Sequence, residues 1–146
     1  MRIAIVVSRF NDFVTERLLA GALEALNDAG ITGSDIEVLR VPGAFEIPLA
    51  AESVAATGRV SGVVCLGCLI KGATPHFEFI ASACAHGIMS AQSRTHVPMT
   101  FGVLTTNAAE EALERSAPGM GNKGREAAEA ALAMARLLSG LHEESR

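Results

Sequence analysis

Within six residues, Lys71-Gly72-Ala73-Thr74-Pro75-His76 brings together a cation, a glycine, a hydroxyl and an imidazole, directly after a long apolar run. A glycine-containing turn that feeds a helix N-terminus offers free backbone N–H groups and the positive end of the helix dipole, and both suit a phosphate. This segment is neither G-x-x-x-x-G-K nor G-x-G-x-x-G, so the expectation is an anion site without nucleotide binding. An ordinary strand-to-helix turn is the alternative. His76 follows Pro75 in the first turn of the expected helix. A neutral imidazole beside a phosphate can accept a proton; a capping or surface histidine is the other reading. His86, His96 and His142 are read as structural or solvated.

Other residues could serve a ligand from neighbouring loops. Phe10 follows a polar strand end, where its ring can either stack on a flat heterocycle or plug the sheet edge. In Val41-Pro42-Gly43-Ala44-Phe45-Glu46, Gly43 lets a backbone come close to a ligand. Glu46 can accept hydrogen bonds from hydroxyls or serve the helix dipole. Arg115 carries a planar fork suited to phosphate, although an arginine at a helix end is also a common surface stabiliser. Lys123, in Gly121-Asn122-Lys123-Gly124, puts a cation at a helix start, where the dipole disfavours it, and this favours a functional role.

These residues need elements to hold them, and the pattern supplies alternating strands and helices. Arg2 to Ser8 reads as a strand. Asn11 or Asp12 can cap a helix to about Ala29 whose apolar face is Val14, Leu18, Ala22, Ala25 and Ala29. Asp35 to Val41 is a second strand, followed by a helix from about Glu46 to Thr57. Ser61 to Ile70 is nearly unbroken apolar sequence, as expected of a strand covered on both faces. Thr74 is expected to cap the next helix, with Pro75 at its first position and Phe77, Ile80, Ala81, Cys84 and Ile88 as its buried stripe. A strand from Val97 to Thr105, a short helix from about Ala108 to Arg115, and an Ala-rich helix from about Lys123 to Leu138, ending near Gly140, complete the chain. Such an order predicts a four-stranded parallel sheet with helices on both faces, its ligands at the carboxyl ends of the strands.

At 146 residues, with 49% apolar and 19% charged content, the chain suits one domain with a real core. A net charge of −4 without a basic run gives no support for nucleic acid or a membrane surface as partner. No apolar run is long enough for a membrane helix. The N-terminus enters a strand pattern at once, with no signal-peptide signature. Cys65, Cys68 and Cys84 are few and apolar in context, which fits reduced thiols in the cytoplasm. Cys65 and Cys68 lie three apart on a strand and so face opposite ways, poorly placed to share a metal or a disulfide.

Taken together, five stretches in the same order resemble the lumazine synthase family over essentially the whole chain: Ser8–Asn11, Val41–Pro48, Leu66–Glu78, Phe101–Asn107 and Gly121–Gly124. The resemblance implies a single domain over residues 1–146 with the flavodoxin-like α/β/α sandwich. It also implies a cofactor- and metal-independent condensation of 5-amino-6-(D-ribitylamino)uracil with 3,4-dihydroxy-2-butanone 4-phosphate. Phe10 then stacks on the pyrimidine, and Ala44, Phe45 and Glu46 hold the ribityl chain. Cys68, Leu69 and Ile70 make backbone contacts to the pyrimidine. Gly72, Ala73 and Thr74 cradle the phosphate, and His76 transfers protons. Phe101, Arg115 and Lys123 come from a neighbouring subunit of a homopentamer, with Arg115 on the phosphate and Lys123 near a pyrimidine carbonyl.

The chain departs from the family pattern at Lys71, where many members have Arg, and at Cys68, where Thr is common. It starts at the first core strand, without the N-terminal segment that many capsid-forming members add, so the expectation is a pentamer and capsid assembly stays open. Three other readings compete: a flavodoxin-like flavin binder without catalysis, a shell-forming structural protein, and the riboflavin synthase of the same fold. The last uses no phosphate, and the anion site formed by Arg115 and Gly72–Thr74 argues against it.

Overall fold

The computed structural model describes residues 1–144. Its four strands are β1 (Ile3–Ser8), β2 (Ile36–Val41), β3 (Gly62–Ile70) and β4 (Met99–Thr106), all parallel and ordered β2-β1-β3-β4. The helices are α1 (Asp12–Asp28), α2 (Ile47–Ala56), α3 (His76–Thr95), α4 (Ala109–Arg115) and α5 (Lys123–Glu144). This is the α/β sandwich expected from the alternating pattern, and it follows from the need of parallel strands for helical crossovers.

Two separate cores flank the sheet. On one face Val14, Leu18 and Leu26 of α1, Ala112 of α4 and Ala128, Ala131 and Leu132 of α5 pack on Ile5, Val64 and Leu66. On the other, Ile47 and Ala51 of α2 and Cys84 and Ile88 of α3 pack on Ala4, Val6 and Val63. β1 and β3 are buried along almost their whole length, which accounts for their unbroken apolar sequence. Cys65 belongs to the second core and Cys68 to the first, so the two thiols face opposite ways as the strand period requires.

Three local expectations are corrected. Asn11 sits at the N-cap of α1 but makes no side-chain cap bond; it is left-handed (φ 61°), and its amide donates instead to the Cys68 carbonyl at 2.9 Å. Helix α3 begins at His76, with Pro75 rather than Thr74 at its N-cap and no side-chain cap. Helix α5 runs through Gly140 to Glu144, because one glycine within a helix costs only about 1 kcal/mol and does not end a helix by itself. Among the described residues, no helix is long and apolar enough to cross a membrane.

Candidate functional site

Strand order reverses between β1 and β3, with β2 to one side and β4 to the other, and the carboxyl ends there frame a crevice. The ladder of β1 with β3 stops at Val7–Leu66, whereas β3 continues alongside β4 to Ile70–Thr106. The overhanging end of β3 therefore forms one wall of an opening. The loops after β1 and β2 form the opposite wall, and they are joined to each other: Arg9 N–H donates to Val41 O at 2.8 Å and Phe10 N–H to Pro42 O at 3.1 Å. Asn11 ties this wall back to β3 through Cys68.

Between the walls lies a cavity of about 730 Å³, within the range of small-molecule sites. Phe10 lines it, as do Ala44, Phe45 and Glu46 from the turn before α2. Leu69 and Ile70 come from the overhang of β3, and Gly72, Thr74 and His76 from the turn into α3. Cys68 is buried behind this lining with its carbonyl held by Asn11, and Ala73 is exposed on the same turn as Gly72 without lining the cavity. Phe77, Phe79 and Ile80 also line it and were not singled out as site residues. The sequence did carry a signal for them. Aromatics are scarce in this chain, and two phenylalanines directly after His76 stand out in an otherwise aliphatic protein.

At the mouth of this cavity the start of α3 is open. Pro75 offers no capping side chain, and the Gly72–Thr74 segment is exposed and lies outside any strand or helix. The carbonyl of Pro75 takes the N–H groups of Glu78 and Phe79 at 3.1 and 3.4 Å, which leaves the first N–H groups of the helix facing outward. Such an end favours an anion, and the exposed imidazole of His76 stands beside it.

Phe101, Arg115 and Lys123 are not brought to this cavity. They line a second one of about 440 Å³ on the edge strand β4, together with Thr105 and Glu126. The two cavities have no lining residue in common. Each cation there has a carboxylate from its own helix, Arg115 with Glu111 at 3.0 Å and Lys123 with Glu126 at 2.8 Å. All four side chains are at least one-third exposed, so these pairs are weak and exchangeable.

A family model described as 6,7-dimethyl-8-ribityllumazine synthase matches residues 1–139. The chain belongs to that family. A relative named 6,7-dimethyl-8-ribityllumazine synthase, from Syntrophus aciditrophicus (strain SB), is 52% identical over 138 residues, covering 94% of this chain and 90% of the relative. The match to the lumazine synthase family thus spans both cavities: the relative's aligned length takes in nearly all of the sheet and helices that carry them.

Proposed function

We propose that this chain, acting as one domain of residues 1–146, is a 6,7-dimethyl-8-ribityllumazine synthase of the cytoplasm. It condenses 5-amino-6-(D-ribitylamino)uracil with 3,4-dihydroxy-2-butanone 4-phosphate, releasing phosphate and water in the penultimate step of riboflavin biosynthesis. The observation that carries this reading, beside family membership, is one cavity with three kinds of wall: an aromatic and apolar slot, a carboxylate, and an uncapped helix start beside an imidazole.

The pyrimidine stacks on Phe10 between the loop walls, and the ribityl hydroxyls reach Glu46 and the turn of Ala44 and Phe45. The phosphate rests on the N–H groups of Gly72–Thr74 and on the helix start. The 5-amino group of the uracil attacks the ketone carbon and water leaves as the imine forms. Phosphate is then eliminated, the resulting enol becomes a ketone, and the ribitylamino nitrogen adds to that ketone with loss of a second water, closing the second ring. His76 lies beside the phosphate and carries protons between the reacting nitrogen, the carbon chain and the leaving group. Holding two substrates in reacting geometry can supply about 7–11 kcal/mol of barrier reduction, so most of the work is positioning.

The second cavity completes the site from another subunit of a homopentamer. Three observations support this. The cations that suit the substrates lie away from His76 on the same chain. The strand that carries Phe101 is an unpaired sheet edge. The first cavity exposes Phe10, Phe45 and Phe79 at 62–71%, the kind of apolar patch that marks an interface. The test is to incubate the purified chain with both substrates, following lumazine by chromatography and phosphate release in parallel. Lumazine and phosphate should appear one for one. Flavin binding without turnover, or assembly without turnover, would overturn the reading.

A further inference from the structure

Asn122 is 1% exposed, among the most buried polar side chains of the described residues, and lies in sequence between Arg115 and Lys123, the two cations of the second cavity. Its amide nitrogen donates to Ser116 O at 2.9 Å, the residue after Arg115, and to Arg17 O in α1 at 3.2 Å. Its amide oxygen accepts the N–H of Arg125 at 2.9 Å, capping the helix that starts with Lys123. Both donors and the acceptor are therefore used, and three segments of chain meet on one side chain. The surroundings are shaped to this group. A Cβ on Gly21 would lie 2.1 Å from the Asn122 Oδ1, and a Cβ on Gly124 would lie 2.0 Å from Leu18 O. The crossing of α1 and α5 closes down on the amide and leaves no room for a longer side chain.

A helix cap needs only an acceptor, which serine or aspartate would supply. The two donated bonds go beyond capping, and one of them fixes the chain at the end of α4. We propose that Asn122 is a positioning residue that sets the separation of Arg115 and Lys123, and so the fit of the phosphate-bearing substrate. This rests on the reading above, in which Arg115 holds the phosphate. The backbone on both sides of the gap between the cations is pinned to one rigid group, itself anchored to α1. The long side chains remain free to trade their own-helix carboxylates for substrate.

The test compares Asn122→Ser and Asn122→Asp, both of which keep a capping oxygen while losing one or both donors, in the wild-type and the Arg115→Ala backgrounds. Steady-state kinetics is run with each substrate varied, and folding and assembly are checked by circular dichroism and light scattering. In the wild-type background the KM for the ketone phosphate should rise roughly tenfold, and in the Arg115→Ala background less than about twofold, since both changes remove one shared contact. Equal fold-changes in the two backgrounds, or an unchanged KM in a folded variant, would overturn the proposal. If Asn122→Ser does not fold, Asn122→Asp carries the same comparison. Absence of lumazine formation by the unaltered chain would instead overturn the underlying reading, and the inference with it.

Discussion

None of the six phenylalanines belongs to the buried core: Phe10, Phe45, Phe77 and Phe79 line the first cavity, Phe101 lines the second, and Phe13 is half-exposed. Aliphatic and alanine side chains fill the interior, so the aromatic rings are available for flat ligands and for a neighbouring subunit. His76 stands among them on the exposed start of α3. His76→Ala is expected to lower turnover roughly 10–1,000-fold with folding retained, the usual worth of a positioned acid–base group less what solvent can replace. Wild-type turnover in the folded variant would remove His76 from the mechanism. The cysteines are held differently. Burial pushes the thiols of Cys68 and Cys84 up to about 11 from 9.0, and burial followed by proximity to Cys84 pushes Cys65 up further. The folded state then binds more thiol protons than the unfolded state above pH 9. Their contribution to stability is complete below pH 9 and declines as pH rises towards 11. Denaturant midpoints measured from pH 8 to 11 should fall over that interval, and less steeply in Cys68→Ser. A flat profile would show that the thiols are as accessible folded as unfolded.

At the scale of elements, the periodic segments were legible. Short apolar and β-branched runs marked the strands, the 3.6-residue stripes marked the helices, and the strand period alone put Cys65 and Cys68 on opposite faces. What the sequence concealed lies at the joints, where tertiary contacts outweigh local preference. Phe77 and Ile80 fit the apolar stripe of α3, and they do pack against the second core. The first turn of that helix overhangs the sheet, however, so the same stripe becomes cavity wall. Asn11 has the composition of a cap but reaches across 57 positions to Cys68, a contact no local pattern encodes. The joint between β1 and α1 can be dissected accordingly. Asn11→Ala should cost about 1–3 kcal/mol, combining a lost hydrogen bond with a left-handed conformation that alanine resists. Asn11→Gly should recover the conformational part, because glycine accepts φ 61° without strain. Chemical denaturation would measure both, and equal losses in the two variants would mean that backbone strain contributes nothing.

For the whole molecule, the proposed function makes one site from the first cavity of one chain and the second cavity of another. In the proposed homopentamer, a heterologous contact repeated around the ring brings the first cavity of each subunit against the second cavity of the next. His76→Ala and Arg115→Ala chains, each assayed at a ketone phosphate concentration low enough that either alone turns over slowly, should then complement when dissociated, mixed equally and reassembled. A site is intact when an unaltered first half meets an unaltered second half, so activity should return to about a quarter of wild type for random mixing in a closed ring. No recovery despite subunit exchange shown by mass spectrometry would refute the shared site, as would an active monomer. The absence of any common lining residue between the cavities also bears on heredity. A chain defective in both halves would spoil the two sites it shares, one with each neighbour. In a cell expressing good and bad copies together, output would follow roughly the square of the good fraction for random mixing in such a ring. A damaged allele would therefore behave as partly dominant, although the reaction itself needs only one intact pair of surfaces at a time.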